Sequence, residues 1–318
     1  MSEQHHQPPL AGEHPRIVVG VDGSPDSLAA LKAGAWAAAA RGGSLTAVMA
    51  WGAPMTTSEA LLMLPDLRDE AQQRLNGAIL EALGPHPLVP VGSIVTSETT
   101  TAALVQASEG ADLLVVGTRG HGGFTGLLVG SVSMACTMHA KCPVLVVHAG
   151  SALTDSQEAR SGARVLVGVG DSLASVGVLR AAAQVAEELD AELLAVKSWV
   201  APPTLPGSRP ELHDEARATA SHALERQVAA AFLDGRPPRL RTEIRPGTPA
   251  AVLVEGSRTA DVVVVGRRGR SQWSAALLGS VSLPVAAHAA CPVLVVPDEA
   301  RRARTVAAKV PVAAGDRA

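Results

Sequence analysis

The chain has 318 residues, 47% of them apolar and 18% charged, with a formal net charge of -3, which suits two soluble globular domains of about 150 residues each. Aromatics make up only 2% and Tyr is absent, so Ala and Val carry the packing. Nothing here offers a stacking platform for single strands or a basic stripe for a phosphate backbone, and nucleic acid is excluded as an expected partner. No apolar run approaches the roughly 18 residues of a spanning helix, and the first residues lack an apolar signal region. No membrane association is expected, and the expected location is cytoplasmic.

The chain opens on a polar arm, residues 1–15, in which His5, His6 and His14 offer no fixed geometry for a metal. Short apolar runs follow at Ile17 to Val21, Leu45 to Trp51, Val91 to Thr96, Leu113 to Gly117 and Val144 to His148, separated by stretches of helical spacing. That alternation predicts a parallel α/β domain over residues 16–149 with right-handed crossovers. The runs at 17 and 113 are apolar without alternation, as in strands covered on both faces, and are expected at the centre of the sheet. A linker over residues 150–163 leads to a second domain, 164–297. There Leu179, Ala182, Val185, Ala186 and Leu189 share one helix face, while Glu187, Glu188 and Asp190 fall mostly off it. From residue 298 the apolar pattern stops and a disordered tail is expected.

The second domain repeats the first. Asp112-Leu-Leu-Val-Val-Gly-Thr-Arg-Gly120 returns as Asp261-Val-Val-Val-Val-Gly-Arg-Arg-Gly269, and Cys142-Pro-Val-Leu-Val-Val147 returns as Cys291-Pro-Val-Leu-Val-Val296, each displaced by 149 residues. Ile17-Val-Val-Gly-Val21 returns as Val165-Leu-Val-Gly-Val169 at a displacement of 148, so the halves differ by a one-residue loop insertion. A period this long marks duplication of a whole domain. The three cysteines, Cys136, Cys142 and Cys291, form no CxxC pair, which argues against a zinc site or a disulfide framework. Cys142 and Cys291, each before Pro at a strand start, read as packed residues.

The most informative motif is Gly117-Thr118-Arg119-Gly120, nine residues, then Gly130-Ser131, running from a strand end to a helix start. Glycines at that place let a phosphate approach the backbone, and the helix start offers free amides from Ser131 to Ser133 and a favourable dipole. Two roles fit Ser131 and Ser133, hydroxyl donors to phosphate or helix caps. The second half matches with Gly266-Arg267-Arg268-Gly269, nine residues, and Gly279-Ser280-Val281-Ser282. His121 and its counterpart Arg270, like Arg119, Arg267 and Arg268, are placed either to meet phosphate or to face solvent. At the first strand end Asp22, after Gly20, is either a ligand contact or a cap. Without gaps its counterpart is Gly170, two past Gly168, and the carboxylate, Asp171, comes one place later.

These motifs, spaced in this way and present twice, resemble the universal stress protein family in its tandem two-domain form, over nearly the whole chain from Ile17 to Val296. The resemblance implies, in each half, a doubly wound five-stranded parallel sheet in the order 3-2-1-4-5 with helices on both faces, and ATP as ligand, with Mg an open point. Adenosine would be held at Asp22 and by backbone near Ala50, which Ser198 matches in the second half. The phosphates would lie against Gly117, Gly120, the amides of His121, Gly122 and Gly123, and Gly130, Ser131, Val132 and Ser133. The first site is expected intact and the second weaker. The expected role is a nucleotide-dependent regulator in a stress response, with an unidentified regulatory partner. Homodimers are expected through last-strand edges or domain faces.

No Gly-Lys-Ser/Thr, Gly-x-Ser-x-Gly or His-Glu-x-x-His occurs, and Asp22 is the one evident carboxylate for metal-assisted phosphoryl transfer. A binder with no catalytic residues is therefore expected. A slow ATPase or nucleotidyl transferase and a nucleotide-free scaffold are the alternatives.

Overall fold

The computed structural model describes residues 14–51, 64–120, 129–151, 162–200, 211–267 and 280–298. Apart from residues 14, 15 and 298, the expectations for the arm and tail lie outside these. The first half runs β1 (Arg16–Gly20), α1 (Pro25–Ala40), β2 (Ser44–Ala50), α2 (Leu64–Leu83), β3 (Val91–Thr96), α3 (Thr100–Ala107), β4 (Leu113–Gly117), α4 (Ser131–His139) and β5 (Val144–Val147). The second runs β6 (Arg164–Gly168), α5 (Ala174–Glu188), β7 (Glu192–Trp199), α6 (Glu211–Ala231), β8 (Leu240–Pro246), α7 (Pro249–Gly256), β9 (Val262–Gly266), α8 (Ser282–His288) and β10 (Val293–Val296).

Each apolar run of the first half becomes a strand; β1, β2, β4 and β5 bury both faces between helices, while β3, at the sheet edge, stays partly exposed, with Ile94 on the surface. Val21, Trp51 and His148 fall just past the strand ends. α1 starts where Ser24 caps it, its hydroxyl accepting from Ser27 N at 3.3 Å, with Pro25 in the first turn. Gly42, at φ +62°, follows its end.

The ten strands form one sheet in the order β3-β2-β1-β4-β5-β10-β9-β6-β7-β8, so each half has the order 3-2-1-4-5 with β1, or β6, next to β4, or β9. All pairings are parallel except β5 with β10. There Leu145 stands opposite Leu294, its own counterpart in the repeat, so the halves meet about a local two-fold axis. Both last-strand edges are used up within the chain, which closes the last-strand route to a homodimer in this arrangement.

On one face of the sheet a single core runs through both halves beneath α1, α2, α5 and α6, joining Ile17, Leu31 and Leu75 to Leu179, Leu193 and Leu224. The opposite face holds two separate cores, one around Leu104, Leu114 and Cys136, the other around Leu166, Leu253 and Val285. Leu179, Ala182, Val185 and Ala186 are buried on α5 as the spacing predicts. Glu188, off that face, is nonetheless shielded from water. Its carboxylate, with the side chain 9% exposed, takes Arg41 Nε at 2.9 Å and Nη2 at 3.1 Å at the end of α1. The ends of α1 and α5 meet across the junction through this pair, both side chains largely shielded from water, and the two-pronged geometry satisfies it.

Candidate functional site

In a doubly wound sheet the order reverses between the first and fourth strands, and a crevice opens beyond their carboxyl ends. Because β5 and β10 run antiparallel, the two crevices open at opposite ends of the common sheet.

In the first half Asp22 and the glycine motif come together there. Asp22 Oδ1 accepts from Ser24 N at 3.0 Å, while a Cβ on Gly120 would stand 2.3 Å from Asp22 Oδ2. The absent side chain at Gly120 thus lets the loop after β4 lie directly on the carboxylate. Ser24, not Asp22, caps α1, which removes the cap reading of Asp22. At Gly117 a Cβ would come within 2.8 Å of Asp26 Cβ and 2.9 Å of its carbonyl carbon, so this glycine serves the approach of α1 to the end of β4. Gly20 likewise admits a side chain: a Cβ would stand 2.8 Å from Leu104 Cδ1, and Gly168 meets Leu253 in the same way at 2.7 Å.

Asp26, which sequence reasoning missed, organises the loop. Its Oδ2 accepts from Thr118 Oγ1 at 2.5 Å and Arg119 N at 2.9 Å, and its Oδ1 accepts from Ala149 N at 2.8 Å. One carboxylate therefore fixes the exit of β4 and the exit of β5. Its counterpart is Ala174, a difference visible in the repeat alignment, although an acidic residue in a first helical turn is too common to draw notice alone.

The serines do not cap their helices. The N-cap of α4 is Gly130, with no side-chain cap bond, and that of α8 is Val281, also without one. Ser131 is exposed in the first turn of α4. Ser133 is buried and gives its hydroxyl to Gly117 O at 2.5 Å, and Ser282 gives its own to Arg267 O at 3.3 Å. Both tie the helix start back to the strand end. Val132 lies partly buried against the α3/α4 core. His121, Gly122, Gly123, Arg268, Gly269, Arg270 and Gly279 lie outside the described residues.

In the second half a cavity of about 630 Å³ occupies the corresponding crevice, lined among others by Gly168, Asp171, Lys197, Ser198, Gly266 and Ser280. This volume falls within the range of small-molecule sites. The loop after β6 is rebuilt relative to its counterpart. Ser175 Oγ accepts from Gly170 N at 3.0 Å, whereas its equivalent Ser27 accepts from Gly23 N at 3.1 Å. That one-residue shift leaves Asp171 not lost to solvent but paired with Lys197 Nζ at 2.7 Å. Lys197 was legible as a lone charge inside the apolar run Leu193 to Trp199, and sequence reasoning passed over it. Arg267 reaches across to the first half. Its Nη1 donates to Met138 O at 3.1 Å and Ala140 O at 2.8 Å, holding the end of α4 in the other half.

The thiols are packed, as expected for Cys142 and Cys291. Cys136, Cys142 and Cys291 are all buried. Burial, reinforced by neighbouring Cys142, pushes the Cys136 thiol up to about 12, and burial followed by the charge of Asp261 pushes Cys291 up to about 12. No described helix is long and apolar enough to cross a membrane.

Comparison with known proteins agrees with this geometry. The model of the universal stress protein family matches the chain twice, over residues 14–148 and 163–297. Universal stress protein Rv2005c of Mycobacterium tuberculosis is 34% identical over 293 residues, covering 88% of this chain and 96% of its own length. A universal stress protein of Mycolicibacterium smegmatis is 30% identical over 289 residues, covering 88% and 96%. Among solved structures, a universal stress protein from Archaeoglobus fulgidus shares the fold at a TM-score of 0.61 and 19% identity, covering 89% of this chain and 96% of its own. The chain belongs to the universal stress protein family, with two copies of the family's domain in tandem.

Proposed function

We propose that the protein is an ATP-binding regulator whose first-half crevice is the tighter nucleotide site. The observation that carries this reading is the meeting of Asp22 with Gly120 at the switch point of the sheet. There a carboxylate that can accept from ribose hydroxyls stands beside a loop whose amides, with those at the start of α4, suit phosphates. Arg119 adds positive charge at the same loop. Family membership supports the reading in outline, and ATP itself, with or without Mg, is the specific proposal.

The route to a regulatory output runs through Asp26. The carboxylate that holds Thr118 and Arg119 also holds Ala149 just past β5, and β5 carries the junction with the second half. A ligand that reorders the loop thereby acts on the junction, and it shifts the conformational balance only as far as it binds one arrangement better than the other.

Titration of the full chain with ATP tests the site. Asp22→Ala should weaken binding about tenfold or more. Ser131→Glu places a negative charge at the helix start, where it suits the helix dipole but repels phosphate, and it should abolish first-site binding without lowering the melting temperature. Unchanged ATP affinity in both variants would refute the proposed site.

A further inference from the structure

The second-half cleft carries a charged pair, Lys197 with Asp171, whose lysine has a methionine as its counterpart in the first half. Lys197 follows Val196, the register partner of Gly168, and so takes the place on β7 that Met49 holds on β2 after Val48, the partner of Gly20. Lys197 is 7% exposed and lines the cavity, and its ammonium donates to Asp171 Oδ1 at 2.7 Å. Burying an ammonium is costly unless it is paired and hydrogen-bonded. Among the described residues Lys197 makes this one hydrogen bond, yet an ammonium carries three N–H donors. The others remain for whatever occupies the cleft.

We propose that Lys197 and Asp171 together recognise the hydroxyls of a ribose, so that Lys197 sets the preference of the second cleft for ribonucleotides. The inference rests on reading this cleft as a nucleotide site. A hydroxyl is both donor and acceptor: it donates a hydrogen bond to the Asp171 carboxylate and accepts one from the Lys197 ammonium. A phosphate, acceptor only, would be drawn by one partner and repelled by the other, so the neutral pair selects a neutral diol. The strand order agrees. β7 lies on one side of β6 and β9 on the other, which puts the pair across the cleft from Gly266 and Ser280, the phosphate side of the motif. Gly170 opens the position that Asp22 fills in the first half, and the shifted loop brings the carboxylate to the lysine instead. The second cleft is on this account rebuilt for the same sugar with a donor and an acceptor where the first has an acceptor and a thioether.

The test uses two-site calorimetry of the full chain with ATP and with 2′,3′-dideoxy-ATP, the sites being told apart by hydrogen exchange of residues 169–175. The wild type should bind ATP in the second cleft about tenfold or more tighter than the dideoxy analogue. Lys197→Met, which installs the residue of the first half, should remove most of that difference by weakening ATP alone. Asp171→Asn should lower the same ratio and serves if the methionine variant fails to fold. If ATP protects residues 169–175 in both variants with the ratio unchanged, the cleft binds nucleotide but the pair does not read the sugar, and the inference is overturned. If no nucleotide protects this loop in the wild type while the first half binds ATP, the nucleotide reading of the second cleft falls and the inference with it.

Discussion

Asp26 shows how much of the site one side chain can hold. Asp26→Ala removes three hydrogen bonds, to Thr118, Arg119 and Ala149, and should cost about 1.5–3 kcal/mol, since bonds to a charged acceptor are the stronger kind and these lie near solvent. Denaturant titration would measure it, and ATP affinity should fall with it because the loop loses its anchor. The thiols give a pH prediction. Cys136 and Cys291 sit near 12 in the folded chain against 9.0 as reference, so the folded state keeps protons that the unfolded state releases. Their contribution to stability is full below pH 9 and is lost progressively between about pH 9 and 12. A Cys136→Ala, Cys291→Ala chain should therefore lose less stability over that interval than the wild type. At this scale the glycine spacing and the place of Asp22 at a strand end were legible in the repeat, and the close approach of Gly120 to Asp22 is what the fold adds. Asp26 and Lys197 were not, because their meaning depends on which distant atoms the fold brings to them.

At the scale of elements, strands were easier to read than helix starts. A run such as Leu113 to Gly117 reads as a buried strand from its shortness and the glycine that ends it, while the start of α4 depends on Gly130 and on the Ser133 bond to Gly117 O, neither of which periodicity reveals. The contact of α1 with the end of β4 is equally hidden, and Gly117→Ala tests it. With its new Cβ within 2.9 Å of the Asp26 backbone, the helix must shift, at about 1–3 kcal/mol. The Arg41–Glu188 pair joins α1 to α5 with both side chains nearly buried. A double-mutant cycle to Ala at the two positions should return a coupling of about 1–3 kcal/mol. A coupling near zero would mean that the junction is held by the shared apolar core alone.

The molecule as a whole is two family domains welded into one ten-stranded sheet. Duplication was plain from the 149-residue displacement, and pairing of the two last strands was open to inference from their identical Pro-Val-Leu-Val-Val sequence. The register was not, since nothing in the sequence fixes Leu145 opposite Leu294 until the two-fold relation of the halves is seen. That relation predicts the behaviour of the first half alone: residues 14–151 expose β5 and should form dimers through Leu145 against Leu145, detectable by sedimentation and abolished by Leu145→Lys. The duplicated sheet has kept one fold while its clefts have diverged, Asp22 and Asp26 in the first giving way to Gly170 and Ala174 in the second, with Lys197 gained. The measurement that bears most directly on the account is equilibrium dialysis of the full chain against ATP, scored as nucleotide bound per chain. One tight equivalent that disappears in Asp22→Ala, followed by a weaker second that survives it, is the expected result. An absence of bound ATP at millimolar concentration, or two equal sites indifferent to Asp22, would contradict it.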